Sequence, residues 1–207
     1  MVLYNRGILK LRERGVTMNS NLAYQDYPSE ELIGGKLVAM SPRPSINHNR
    51  VIGNIYRIFA HYLNGRKCEP FADGVDLYLT ETDRFIPDMM VVCDPDKIKP
   101  DGVYGPPDLV VEVLSPSTAR YDRGHKKDVY ARCGVREYWI VSPGDRTVEQ
   151  YLLEEGQLAL HETYGLELEV ILNKMSQEER DAIPTEFKCS LFDDLVIQIA
   201  DIFERVV

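Results

Sequence analysis

No apolar stretch in the 207-residue chain approaches the roughly 20 residues that a helix needs to cross a bilayer. Neither a helical anchor within these residues nor a membrane partner is expected. Residues 1–18 mix Arg6, Lys10, Arg12, Glu13 and Arg14 with isolated apolar residues, so they lack the continuous apolar core of a signal peptide. A cytoplasmic location is the default expectation. Cysteine is scarce: Cys68, Cys93, Cys133 and Cys189 stand far apart and form no CxxC pair, which argues against a zinc cluster or a redox motif. Without an export signal they are expected to be buried, reduced thiols. Positive charge is in the minority too. Lys and Arg number 24 against 33 Asp and Glu, a net charge of −9. This disfavours broad non-specific binding to phosphate backbones while leaving a local basic groove open. Ser115 and Ser117 lack the Gly-x-Ser-x-Gly frame of a serine-hydrolase nucleophile. There is no internal repeat and no low-complexity linker.

What remains is an ordinary globular composition, 44% hydrophobic and 28% charged, long enough to bury one substantial core. Residues 1–18 read as a detachable extension, with Met18 as an alternative start, and residues 19–207 as a single domain. Gly34-Gly35 supplies the positive φ angles of a tight turn, so residues 31–40 predict a β-hairpin, broken off by Ser41-Pro42-Arg43-Pro44. The spacing of Val51, Ile52, Ile55, Ile58, Phe59, Tyr62 and Leu63 predicts a helix over 45–63, stopped at Asn64-Gly65. Strands are expected over 75–80, 85–93, 109–114 and 135–141. A helix should run from a Ser117 or Thr118 cap to Arg132, and 147–153 should form a hairpin with 158–163. Ser176-Gln177-Glu178-Glu179 has the form of a capping box, and 195–203 that of a last strand and a helical turn. This order predicts an α/β or α+β fold around one central sheet.

Two of the predicted strands carry a carboxylate where a buried strand should have none. Phe85-Ile86-Pro87-Asp88-Met89-Met90-Val91-Val92 holds Asp88, and Asp108-Leu109-Val110-Val111-Glu112-Val113-Leu114 holds Glu112. Short continuous apolar runs are interior strands of a covered sheet. An ionised carboxylate there is costly unless a cation or strong donors meet it. On the helix that follows, Asp122, Lys126 and Tyr130 are four residues apart and stack on one face. Folding that helix back over the sheet places Lys126 near Glu112. Two carboxylates and an ammonium then surround a point suited to a hard cation, Mg2+ or Mn2+ rather than zinc. Such a site serves phosphodiester hydrolysis: the cation polarises a phosphoryl oxygen and acidifies a water. The lysine orients or deprotonates that water, or offsets phosphate charge.

Plainer readings stand beside this one. Asp88 after Pro87 fits an Asx turn, and a structural Glu112–Lys126 ion pair accounts for the same residues without a metal. Lys126-Lys127 alone would be a solvated helix face. His48 at a helix start is a capping or packing residue or a substrate contact, Tyr130 packs with its hydroxyl on a polar neighbour, and Trp139 belongs to the core. Arg120, Arg123 and Lys127 are surface charge or phosphate contacts.

The block Pro87-Asp88 … Glu112-Val113-Leu114-Ser115-Pro116-Ser117-Thr118 … Asp122-xxx-Lys126-xxx-Tyr130 … Gly134-Val135-Arg136-Glu137-Tyr138-Trp139-Ile140-Val141 resembles the Uma2 family of the restriction-endonuclease-like PD-(D/E)XK superfamily. The similarity reaches upstream through Glu31-Leu32-Ile33, Gly35 and His48, and covers most of residues 24–203. The resemblance implies a restriction-endonuclease-like fold, a central mixed β-sheet flanked by helices. It also implies a Mg2+-dependent endonuclease (or a Mn2+-dependent one) that acts on DNA as a homodimer. By position it makes Asp88, Glu112 and the backbone carbonyl of Val113 metal ligands, Lys126 the catalytic lysine, and Glu31 a supporting N-terminal glutamate. The chain departs from the pattern in places. Leu114 occupies the position of the superfamily lysine, and Lys126 on the helix takes that part. Glu30 precedes Glu31 where a tyrosine is usual, and Gly34-Gly35-Lys36 replaces an acidic turn. The negative charge and Leu114 support an alternative, a non-catalytic nucleic-acid-binding or protein-interaction domain that retains the fold. A phosphatase-like hydrolase of small phosphoesters is a further class that these residues leave open.

Overall fold

Pro87 divides the apolar run around Asp88 between two sheets: Arg84–Phe85 forms β5 in one and Met89–Val92 forms β6 in the other. The single strand expected over 85–93 is therefore two, because proline withholds the N–H that a continuous ladder needs. The computed structural model describes residues 30–39, 44–167 and 169–207. The expected 1–18 extension, Met40 and Ser41-Pro42-Arg43 lie outside them.

The larger sheet runs β12 (Gln157–Gly165), β11 (Thr147–Glu154), β10 (Glu137–Ser142), β9 (Leu109–Val113), β6 and β3 (Glu69–Ala72). Its pairs are antiparallel except β9 with β10, which is parallel. This is the expected mixed sheet. A second six-stranded sheet was not anticipated: β2 (Lys36–Ala39), β1 (Glu30–Ile33), β5, β4 (Leu77–Tyr78), β8 (Gly102–Tyr104) and β7 (Ile98–Lys99). Each of its strands holds only two to four residues, too few to show a period, and the strand expected over 75–80 shrinks to Leu77–Tyr78. A small pair joins β13 (Glu186–Lys188) to β14 (Val196–Gln198).

Alternation along the central strands feeds two cores. Met89, Val91, Leu109, Val111, Val113, Trp139 and Val141 face α1 (Ile46–Leu63), which contributes Val51, Ile55 and Phe59. Met90, Val110, Tyr138 and Ile140 face the opposite way, toward Phe85, Val129 and Tyr130. Both faces are covered, which is why these strands read as unbroken apolar runs. Glu112 shares the parity of Val110 and therefore enters the second core.

The segment covering that core is not the single capped helix expected from Ser117 or Thr118. Thr118 makes no capping bond; instead Ser115 Oγ accepts the Thr118 N–H at 3.3 Å and the Ser115 carbonyl accepts the Ala119 N–H at 3.1 Å. Pro116 makes this turn the entry to α2 (Ala119–Tyr121). A π-helical turn follows at Asp122–Lys126, bent at Gly124 (φ −114°, ψ −106°), before α3 (Lys127–Cys133) ends at Gly134 (φ +95°). The short helices α4 (Glu169–Leu172), α5 (Gln177–Asp181) and α6 (Ile199–Ile202) complete the chain, with the predicted capping box present at Ser176 and Glu179.

The cysteines depart from expectation. Cys68 and Cys93 are joined as a disulfide, while Cys133 and Cys189 are free. The β3–β6 register pairs Glu69 with Val92, so one step further along it sets Cys68 against Cys93. That proximity is a property of strand pairing.

Candidate active site

Asp88 stands just ahead of β6, and its Oδ2 accepts the Val113 N–H at 2.6 Å. Two neighbouring strands are thus pinned together at the carboxylate. Glu112, one residue earlier on β9, projects to the other core. There its Oε1 lies 3.1 Å from Lys126 Nζ and accepts the Tyr130 hydroxyl at 2.8 Å. Lys126 also meets Glu31 Oε1 at 2.9 Å and lies 3.6 Å from Asp122 Oδ1. Glu31, on β1, is itself held by the Ile86 N–H at 2.9 Å. One ammonium therefore ties both large sheets to the π-helical turn.

These groups are buried: Glu112 and Lys126 are each 3% exposed, Glu31 6% and Asp122 1%. Burial pushes the Glu112 carboxyl well above its ordinary pKa; Lys126 opposes that push, and Asp122, Asp88 and Glu31 add to it. Burial likewise raises Asp122, against the pull of Lys126. The Thr118 hydroxyl is near enough to draw on Asp122 weakly, yet neither Asp122 oxygen has a hydrogen bond of ordinary geometry. For Lys126 burial would lower the pKa, but the charges of Glu112, Glu31 and Asp122 outweigh it and hold the ammonium protonated.

The site opens into a cavity of about 370 Å3 whose lining includes Glu31, His48, Asp73, Asp88, Glu112 and Lys126. His48 Nε2 lies 3.4 Å from Asp88 Oδ2. Its burial disfavours the charged ring, but Asp88, the Val113 carbonyl and Asp73 outweigh burial and raise its pKa. Asp73 is raised as well, by burial and then by the charge of Asp88.

Glu31 and Glu112, singled out from sequence, thus each meet Lys126, Asp88 lines the same cavity, and the Val113 N–H is bonded to Asp88. Arg123 and Lys127 turn away, to Glu149 and over the Tyr151 ring. Asp122 and Asp73 were absent from the predicted set. Asp122 is named from sequence only as the helix-face neighbour of Lys126, four residues before it. Asp73 becomes visible only through the β3–β6 register, where Ala72 pairs with Met89 and so brings Asp73 opposite Asp88. Glu137 supplies a control. Fully buried on β10, it is met by Trp139 Nε1 and Gln150 Nε2, each at 2.6 Å, and by the Ser190 N–H at 2.8 Å. A buried carboxylate answered by neutral donors braces the fold; Glu112 is answered by a lysine at a cavity.

The donor chemistry fits a hard cation. Asp88 Oδ1 and Glu112 Oε2 accept no hydrogen bond from a described residue. The Val113 carbonyl would be the third oxygen of the set. Among the described residues no group of three or more His, Cys, Asp or Glu side chains is gathered to hold an ion, so the fit is to an ion that keeps several waters, as Mg2+ does.

A mixed sheet with carboxylates at two neighbouring strands, Glu112 on β9 and Asp88 just ahead of β6, and a lysine delivered by the covering helical segment, is a restriction-endonuclease-like arrangement. A solved structure described as a "putative nuclease" from Anabaena variabilis shares the fold, with a TM-score of 0.65 over 93% of this chain and 99% of its own, at 18% identity. The chain belongs to the Uma2 family, described as "Putative restriction endonuclease", whose model matches residues 22–182. Two uncharacterized proteins of Synechocystis sp., slr1290 and sll1609, are 34% identical over 123 residues and 30% identical over 125 residues. Each match takes in 58% of this chain, and 64% and 70% respectively of the relative's own length. Among the described residues no helix is long and apolar enough to cross a membrane.

Proposed function

We propose that the chain is a metal-dependent nuclease that hydrolyses phosphodiester bonds in DNA. One observation carries this reading: Asp88 and Glu112, each with an oxygen uncommitted, line the same cavity as a buried, charged Lys126. Asp88, Glu112 and the Val113 carbonyl would hold Mg2+ or Mn2+. When bound, such an ion supplies Lewis acidity toward a phosphoryl oxygen and a water of lowered pKa. The chain's own groups do the rest. The Val113 N–H fixes one oxygen of Asp88 and the Tyr130 hydroxyl one oxygen of Glu112, so the remaining oxygens are held in place. Lys126, kept protonated by its carboxylates, suits charge neutralisation on the phosphate and not the part of base. In the hydrolysis the water oxygen bonds to phosphorus as the ester P–O bond breaks; in net, a proton passes from that water to the departing oxygen.

A second reading, a fold kept for binding alone, draws on the same ion pairs. Lys126, Glu31 and Glu112 already satisfy one another. Purified protein is incubated with plasmid and single-stranded DNA, with Mg2+, Mn2+ or EDTA, alongside Asp88→Asn and Lys126→Met. Cleavage that needs a divalent ion and is lost in both variants is expected. Equal cleavage by the variants would overturn the assignment. No cleavage, with a salt-dependent gel shift that survives Asp88→Asn, would establish the second reading.

A further inference from the structure

We propose that this site acts on unpaired DNA strands in preference to intact duplex, an inference that rests on the nuclease reading. The reactive groups lie at the floor of a recess: Glu112 and Lys126 are 3% exposed. A phosphate must descend to reach them. In a duplex the bases are paired and stacked inward, so a base face cannot enter the recess beside the phosphate while both strands stay paired. An unpaired strand bends at every nucleotide and can.

The lining agrees with this. Ile33, Val38, Ile86, Leu114, Pro116 and Tyr121 form its apolar walls. Such walls suit the faces of unstacked bases, which bind by stacking and apolar contact. They do not suit a phosphate backbone, which recruits Lys and Arg. Lys126 is the only Lys or Arg among the described lining residues, and Glu31, Glu112 and Asp122 already surround it. Of the nearby cations on the helical segment, Arg123 pairs with Glu149 and Lys127 lies over Tyr151, which leaves Arg120, exposed beside Tyr121, outside the cavity lining. A duplex would therefore find few phosphate contacts here. Tyr121, which lines the cavity yet remains 41% exposed, is placed to stack on a base as the strand enters.

The test uses the full chain with Mn2+ or Mg2+ and three DNAs of one sequence. These are a single strand, a duplex closed by a hairpin at each end, and the same closed duplex carrying an unpaired bubble. Binding of the single strand is read separately by fluorescence anisotropy in EDTA, for wild type, Tyr121→Ala and Tyr121→Phe. The single strand and the bubble should be cut about a hundredfold faster than the closed duplex, the cost of opening paired bases. Tyr121→Ala should weaken single-strand binding about tenfold with an unchanged circular dichroism spectrum, and Tyr121→Phe should retain it. Closed duplex cut as fast as single strand would overturn the inference while leaving the nuclease reading standing. Cleavage of none of the three would overturn both. Single-strand binding indifferent to Tyr121→Ala would overturn the entry path.

Discussion

His125 Nε2 lies 2.7 Å from Asp83 Oδ1, and this contact joins the turn at Gly34 to the π-helical turn that carries Lys126. Asp83 also accepts the Gly34 N–H and the hydroxyls of Thr80 and Thr82. Burial alone would raise its pKa, but these donors, His125 foremost, hold it at about 2 against an ordinary 3.8. The folded value lies below the unfolded one, so the charge stabilises the fold above about pH 3.8, and that contribution fades as pH falls through about 2. Asp83→Asn should cost about 2 kcal/mol at neutral pH. In urea unfolding the gap from wild type should close across that acid window. A pH-independent gap would show that the charge is not what matters.

Mg2+ or Mn2+ should raise the thermal unfolding midpoint at neutral pH, because the carboxylates around the cavity outnumber the one lysine among them. At a hundredfold excess over Kd the gain is about 2.7 kcal/mol. EDTA should reverse it, and Asp88→Asn and Glu112→Gln should each abolish it. A shift of equal size in both variants would place the ion elsewhere.

Lys126, with its pKa raised above the ordinary 10.5, stabilises the fold below that value and loses this contribution only as pH climbs through the higher, folded pKa. The pH–rate profile should show no limb from this lysine below about pH 10.5. Lys126→Met should cost roughly 3–5 kcal/mol by leaving buried carboxylates uncompensated, and adding Glu112→Gln should recover part of that loss in denaturant titrations. A titration of Lys126 near neutrality would instead assign it as a base.

Thiol labelling checks the disulfide. Without reductant, native protein should react slowly and first at half-buried Cys133, then at buried Cys189, since burial raises both thiols. Cys68 and Cys93 should label only after reduction. Mass spectrometry showing all four labelled without reductant would contradict the pairing.

The carboxylates at Asp88 and Glu112 were legible because each interrupts an apolar run, and Lys126 because a four-residue spacing tied it to Asp122 and Tyr130. The long elements, α1 and the β11–β12 hairpin, were legible from periodicity. What stayed hidden depends on pairing between distant segments. Glu31 was named through the family resemblance alone, and its contact with Lys126 arises because β1 pairs with β5, where Leu32 meets Arg84. Asp73 reaches Asp88, and Cys68 reaches Cys93, through the register of β3 and β6. The π-helical turn left one trace, Gly124 in mid-helix, where an added Cβ would meet nothing within 4 Å.

That turn and β9 differ in what mutation can do to them. Deleting or duplicating one residue in β9 would swing Glu112 to the α1 side and present a valine to Lys126. A π-helical turn already accommodates one residue more than an α-turn while the helix continues on either side. A change of length in the strand that bears the glutamate therefore reverses its facing, whereas the segment that bears the lysine already departs from α-helical geometry at Gly124. The ion pair between Glu112 and Lys126 thus joins a partner whose position is fixed by strand register to one whose position is set by the reach of a side chain.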